Sequence, residues 1–254
     1  MNVLSAKNLT KIYGGKGDIS STKALNDVSL DIESGEFVGV MGPSGSGKTT
    51  FLNILSGISK PSAGLVEIVG KNIVSLDKNE LALFRRQKLG FVFQEFNLLD
   101  SLTIKENILL PMILDNKNTG EMELKAKEIM SLFEICEIAD KYPYSVSGGQ
   151  QQRAAVSRAL VNDPAIIFAD EPTGNLDSKS SKTVMNCFEK MNKDHNSTIL
   201  MVTHDPFAAS FCKRIVFIKD GMINMEITKK AERQEFFDRI LDCLAVLGGE
   251  RNDI

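Results

Sequence analysis

The chain has 254 residues, 43% hydrophobic and 25% charged, with a formal net charge of −3. That is an ordinary globular composition, long enough for one large core or a core with a smaller lobe, and its slight acidity argues against a nucleic-acid partner. Cys136, Cys187, Cys212 and Cys243 form no Cys-x-x-Cys pair and read as free thiols of a reducing compartment; no leader peptide and no apolar run of membrane-spanning length is expected.

In chain order, Val3–Tyr13 and Ala24–Ile32 alternate as strands of a small antiparallel layer, joined by a polar loop over Gly14–Ser21. Glu36–Met41 reads as a buried strand and Thr49–Ser56 as a helix, and between them lies Gly42-Pro-Ser-Gly-Ser-Gly-Lys48-Thr49. Glycine spacing of this kind, in a strand–loop–helix context, lets backbone N–H groups converge on phosphate oxygens at a helix N-terminus. Gly42, Ser44, Gly45, Ser46, Gly47, Lys48, Thr49 and Thr50 are therefore the candidate phosphate cradle, with Lys48 adding a cation and Thr49 a hydroxyl for Mg²⁺.

Leu65–Val69 predicts another strand, Asp77–Lys88 a helix with Leu81, Phe84 and Leu89 near one face, and Leu89–Phe93 a short strand running into Gln94. From Glu95 to Val156 the texture changes to an inserted helical lobe, with helices expected over Ile104–Met112 and Glu121–Ile138. Apolar strands return at Ala165–Ala169, Thr198–Val202 and Ile215–Ile218, with a helix near Ser178–Met191, the pattern of a parallel sheet covered on both faces. Lys219-Asp-Gly-Met222 predicts a tight hairpin into Ile223–Ile227, and the apolar stripe of Lys229–Leu247 a helix packed on its own domain.

Asp170 and Glu171 end an apolar strand, where parallel sheets present their ligand sites. Asp170 is placed to orient Mg²⁺, and Glu171 to direct a water at a γ-phosphate. Ser147-Gly148-Gly149-Gln150 opens a second helix whose N-terminus can face an anion, so two phosphate-binding surfaces fall on different lobes.

With these motifs together, residues 2–228 resemble the nucleotide-binding subunit of ATP-binding cassette (ABC) transporters. The resemblance implies an α/β P-loop NTPase core of RecA-like type with a mostly parallel sheet, an antiparallel layer and the helical insert. It divides the chain into core (1–94), helical subdomain (95–158), core (159–228) and a C-terminal tail (229–254). It further implies ATP and Mg²⁺ as ligands, with Tyr13 on adenine, and Thr49, Gln94 and Asp170 around the metal. Glu171, His204, Lys48 and Gln94 would serve hydrolysis. Ser147, Gly148, Gly149 and Gln150 would be presented to the nucleotide of a second copy, with Asp177 in the loop that crosses between subunits. Val146 stands where the family usually has leucine.

The phrases Phe93–Leu99, Thr103–Asn107, Asp170–Asp177 and Met201–Asp205 resemble the macrolide-efflux and lipoprotein-release branch. Val202–Ala209, Ile218–Gly221 and Val246–Gly249 draw the chain toward its bacitracin-resistance type. Those likenesses imply an ATPase that homodimerises on ATP binding and sits peripherally on the cytoplasmic face of a bacterial membrane. There it would drive a multi-span permease for antimicrobial-peptide resistance, and through it reach a sensor histidine kinase. Lipoprotein release, macrolide efflux and a non-transport cassette ATPase are the alternatives; no Asn-Lys-x-Asp guanine reader supports a GTPase.

Overall fold

A computed structural model describes residues 1–14, 21–230 and 232–248. The first half runs β1 (Asn2–Tyr13), β2 (Thr22–Glu33), β3 (Phe37–Met41), α1 (Lys48–Leu55), β4 (Ala63–Ile68), β5 (Lys71–Asn72), α2 (Lys78–Lys88), β6 (Leu89–Val92), α3 (Ile104–Leu114) and α4 (Thr119–Leu132). The second half runs α5 (Gly148–Leu160), β7 (Ile166–Asp170), α6 (Ser178–Asp194), β8 (Ile199–Val202), α7 (Pro206–Ala209), β9 (Arg214–Lys219), β10 (Met222–Thr228) and α8 (Arg233–Gly248). Most of the Gly14–Ser21 loop and Gly249 of the Val246–Gly249 phrase fall outside the described residues.

Two sheets result. One is antiparallel in the order β2-β1-β4-β5; the other has the order β10-β9-β3-β8-β7-β6, parallel from β9 to β6 with β10 antiparallel at its edge. Its inner strands are apolar on both faces because both are covered, and their side chains alternate between two cores with period two. Phe37, Ile167, Ala169, Ile199, Met201, Ile215 and Phe217 enter one core together with residues of α3, α4, α5, α6 and α8. Val38, Val40, Phe168, Leu200, Val202, Val216 and Ile218 enter the other, with Phe51, Leu52, Ile54 and Leu55 of α1 and the antiparallel sheet. Helices α1 and α5 therefore pack on opposite faces of the six-stranded sheet. Fully buried Phe51 and Phe168 each contribute roughly 2–3 kcal/mol relative to exposure, so this division is strongly enforced.

Two expected elements differ in detail. The helix foreseen over Glu121–Ile138 stops at Leu132, because Glu134 turns left-handed (φ 53°) and lets both Phe133 and Ile135 reach the core. A 3₁₀ turn over Cys136–Ile138 replaces the rest. Helix α2, capped by Asp77 and Glu80, buries no residue completely; Leu81 and Phe84 only lean on the core, while Leu89 belongs to β6. The β9–β10 turn has Asp220 at φ 50° and Gly221 at φ 74°, the left-handed pair of a primed hairpin turn. Helix α8 buries Phe236, Ile240 and Leu247, so the tail's stripe faces its own domain.

Candidate active site

The loop between β3 and α1 is held by backbone that only glycine allows. At Gly42 (φ 152°) a Cβ would fall 2.0 Å from the Ile218 carbonyl oxygen, and at Gly47 (φ 102°) 2.5 Å from that of Ala24. Gly47 is also the N-cap of α1 and brings no side-chain cap, so N–H groups of the first turn remain free to meet an anion. Ser46 is buried with its hydroxyl unpartnered, Ser44 and Thr49 are exposed, and Thr50 is half-buried. Lys48 Nζ arches over this loop, donating to the carbonyls of Gly42 and Pro43 at 2.9 Å each. Tyr13 ends β1 opposite Thr22, two residues from the Ala24 that packs on Gly47; its half-exposed ring lies 5.0 Å from Lys11 Nζ.

Strands β7 and β8 are parallel neighbours, and their ends bring Glu171 and His204 together: His204 Nδ1 lies 2.6 Å from Glu171 Oε2. Glu171 adopts φ 46°, a left-handed conformation that costs a non-glycine residue roughly 1 kcal/mol, and its N–H is fixed on the Val202 carbonyl. Asp170 Oδ1 is buried without a hydrogen-bond partner. Burial lifts the Asp170 carboxyl above its ordinary range, repulsion from Glu171 adds to this, and Lys48 opposes it. Burial likewise lowers Lys48, against the attraction of Glu171 and Asp170. One half-buried cation thus faces two carboxylates, and an orphaned carboxylate oxygen in such a place suits a divalent cation.

Gln94, past the end of β6, is exposed, and its side chain is engaged with Asn175. Gln94 Nε2 donates to Asn175 Oδ1 and Asn175 Nδ2 donates back to the Gln94 carbonyl, both at 3.2 Å. This amide pair joins the β6 and β7 exits, the two segments carrying Gln94 and Glu171.

Ser147 is the N-cap of α5 in a reciprocal capping box. Its hydroxyl accepts the Gln150 N–H at 3.3 Å, and Gln150 Oε1 accepts the Ser147 N–H at 2.9 Å. The cradle expected here is thus partly self-satisfied, and what it can offer an anion is the Ser147 hydroxyl proton and the N–H groups of Gly148 and Gly149. Gly149 is required by space: a Cβ would fall 2.8 Å from Ser180 Oγ. Asp177 has a local task as well, capping α6 through the N–H groups of Lys179 and Ser180 and accepting from Ser180 Oγ.

The structure brings Lys48, Asp170, Glu171 and His204 into one electrostatic neighbourhood, but not Ser147. Gly148 and Gly149 neighbour Phe96, Leu176 and Ser180, whereas Gly42 and Gly47 neighbour Ala24, Leu25 and Ile218. Several supporting residues escaped the sequence reading. Gly221 donates its N–H to the Ser46 carbonyl at 3.1 Å and its carbonyl accepts from Asn26, so the hairpin turn braces the phosphate loop. The buried Asn107 closes the 99–103 turn through Leu99, Leu102 and Thr103. Gln152 and Arg158 of α5 hold carbonyls beside Gln94 and Glu171. Only the Asp-Gly dipeptide was a visible signal among these, and it pointed to a turn rather than to a brace.

Residues 25–174 match the family described as ABC transporter. The chain is 56% identical over 250 residues to the ABC transporter ATP-binding protein YvcR of Bacillus subtilis, covering 98% of this chain and 96% of that one. It is 49% identical over 254 residues to the bacitracin export ATP-binding protein BceA of Halalkalibacterium halodurans, covering 100% of both. Among solved structures, the dimeric post-hydrolysis state of the ATP-binding cassette MJ0796 bound to ADP and Pi superposes with a TM-score of 0.81 at 42% identity, covering 90% of this chain and 100% of that one; MJ0796 is from Methanocaldococcus jannaschii. The chain belongs to the ABC transporter family, as one of its ATP-binding cassettes.

Proposed function

We propose that two copies of this chain close around two Mg-ATP molecules, each clasped by the phosphate loop of one copy and the Ser147–Gln150 element of the other. The observation that carries this is the placement of α1 and α5 on opposite faces of the six-stranded sheet. A cradle with no nucleotide of its own then has a use only against a second molecule. The cleft of about 580 Å³ beside Glu171 and His204, walled by Thr173, Leu176, Ser181 and Phe207, is a surface that such a copy would cover.

Within each pocket Lys48 and the loop amides neutralise phosphate charge, Tyr13 stacks on adenine, and Glu171, steadied by His204, directs the attacking water. Thr49, Gln94 and Asp170 would hold Mg²⁺, which when bound supplies charge neutralisation at the phosphates. Loss of the γ-phosphate contacts after hydrolysis releases the dimer, and that alternation is the source of mechanical work.

The motion passes to a multi-span permease, a reading supported by likeness to transporter ATP-binding proteins; among the described residues no helix is long and apolar enough to cross a membrane. We assign the contact to Glu95–Leu110, which follows Gln94 directly. In support, an apolar groove of about 510 Å³ lined by Phe91, Phe93, Asn97, Leu110, Pro111 and Leu114 opens beside this stretch. Likeness to a bacitracin export ATP-binding protein favours antimicrobial-peptide resistance as the purpose, with a sensor kinase reached through the permease and the cassette lying on the cytoplasmic face of the membrane. Ser147→Arg tests the paired pockets: turnover should collapse while each copy still binds ATP, and a rate left intact would remove the proposal. Co-purification with a multi-span permease, and crosslinks from Glu95–Leu110 to it, test the coupling.

A further inference from the structure

Gln152 lies fully buried in the second turn of α5, five residues beyond Ser147. Its Nε2 donates to the Pro172 carbonyl at 2.6 Å and to the Phe93 carbonyl at 3.4 Å. Pro172 follows Glu171 and Phe93 precedes Gln94, so one amide holds the backbone beside both. Both partners are carbonyls, which only accept, and this fixes which way the amide faces. Its Oε1 is left buried without a partner. An orphaned buried amide oxygen costs stability, so Gln152 is a poor choice for packing and an understandable one for placement.

The backbone it holds is strained on both sides. Glu171, Phe96 and Asn97 all adopt left-handed conformations, with φ of 46°, 58° and 51°, which side chains such as Phe disfavour. Arg158, two turns further along α5, donates through its guanidinium to the carbonyls of Phe96 and Asn97 and secures the far side of Gln94. Such turns persist only where surrounding groups over-determine them; α5 supplies two of those groups here, Gln152 and Arg158, beside the Val202 carbonyl and His204 that also hold Glu171.

We propose that Gln152 is a positioning residue through which α5 sets the geometry of Gln94 and Glu171 in its own copy. Docking of Ser147 on the partner's nucleotide shifts α5 and thereby prepares hydrolysis at the copy's own nucleotide. This rests on the paired-pocket proposal above and extends it, because it makes the two pockets communicate through one helix.

The test uses the full chain with Gln152→Met, which removes the donor and the orphaned oxygen at similar volume. The expected result is unaltered equilibrium binding of ATP and kcat lower by about 10-fold, the rate equivalent of one lost hydrogen bond. The unfolding midpoint should show little net change, because loss of the orphaned oxygen offsets the Pro172 carbonyl left without its donor. A lowered midpoint with kcat intact would mark Gln152 as structural and overturn the inference. Mixed dimers of differently tagged copies then separate routes. With Glu171→Gln in one copy, Gln152→Met should slow the residual turnover about 10-fold more in the copy keeping Glu171 than in the other. Equal slowing from either position overturns it. If Ser147→Arg leaves turnover untouched, the paired pockets themselves fail; if Ser147→Arg slows it and Gln152→Met does not, only this inference fails.

Discussion

His204 Nδ1 and Glu171 Oε2 meet at 2.6 Å across the ends of two adjacent parallel strands. The contact engages one carboxylate oxygen, Oε2, and in the proposed mechanism the other would accept from the attacking water. With that geometry, Glu171→Gln should cut steady-state phosphate release by at least ~10²-fold, the scale of a lost acid–base group, while equilibrium ATP binding survives. His204→Ala frees the carboxylate without removing it and should produce a smaller fall in kcat. Turnover and nucleotide affinity measured side by side decide both cases; full activity in Glu171→Gln excludes it from the chemistry.

Lys48 Nζ has two carbonyl partners in its own loop at 2.9 Å, and burial makes its charge costly to hold. In the proposed pocket a phosphate oxygen would supply a negative partner in place of those carbonyls. Lys48→Ala should therefore weaken ATP binding by about 10-fold or more, as expected for a charge-assisted contact, read by nucleotide titration. Retained affinity contradicts the assignment.

Asp170 gives a stability prediction of opposite sign to its effect on activity. Its folded carboxyl titrates above the ordinary value of 3.8, first through burial and then through repulsion by Glu171. A raised carboxyl favours the fold fully below its unfolded pKa, and that contribution is lost as pH rises through the folded value. At pH 7 the ionised group is a net cost. Asp170→Asn, without nucleotide or metal, should raise the unfolding midpoint at pH 7, with the gain closing as pH falls toward 4. Its Mg²⁺-dependent turnover should drop roughly 10–100-fold. A lower midpoint at pH 7 would show that the Lys48 attraction outweighs burial.

Gly221 should behave as a phosphate-loop residue although it lies far from the loop in sequence. At φ 74° and with a Cβ destined for 2.8 Å from the Ala24 carbonyl oxygen, Gly221→Ala pushes the turn off both Ser46 and Asn26. Destabilisation of about 1–2 kcal/mol together with weaker ATP binding is expected from denaturant unfolding and nucleotide titration. Lost stability with normal affinity would reduce the turn to a hairpin and nothing more.

Much of this protein is decided locally. Glycine spacing around Lys48 needs only its flanking strand and helix to form an anion cradle, because the N–H groups that bind are consecutive in the chain. The Asp220-Gly221 turn, the Ser147 cap and the two acids ending β7 are equally short-range, and so they are legible one segment at a time. The overrun of the helix past Leu132 shows the limit: Glu134 gives no local stop signal, and the turn exists because Phe133 and Ile135 both find the core.

Only the tertiary structure decides which distant groups meet. Gln94 pairs with Asn175, Gln152 with Pro172 and Gly221 with Ser46 because β6, β7 and β9 lie in one sheet and α5 crosses behind it, and no periodicity encodes such partners. The same sheet separates α1 from α5. Two cradles could be read from the residues, but that they stand on opposite faces follows from the alternation of side chains across strands that packing alone puts side by side.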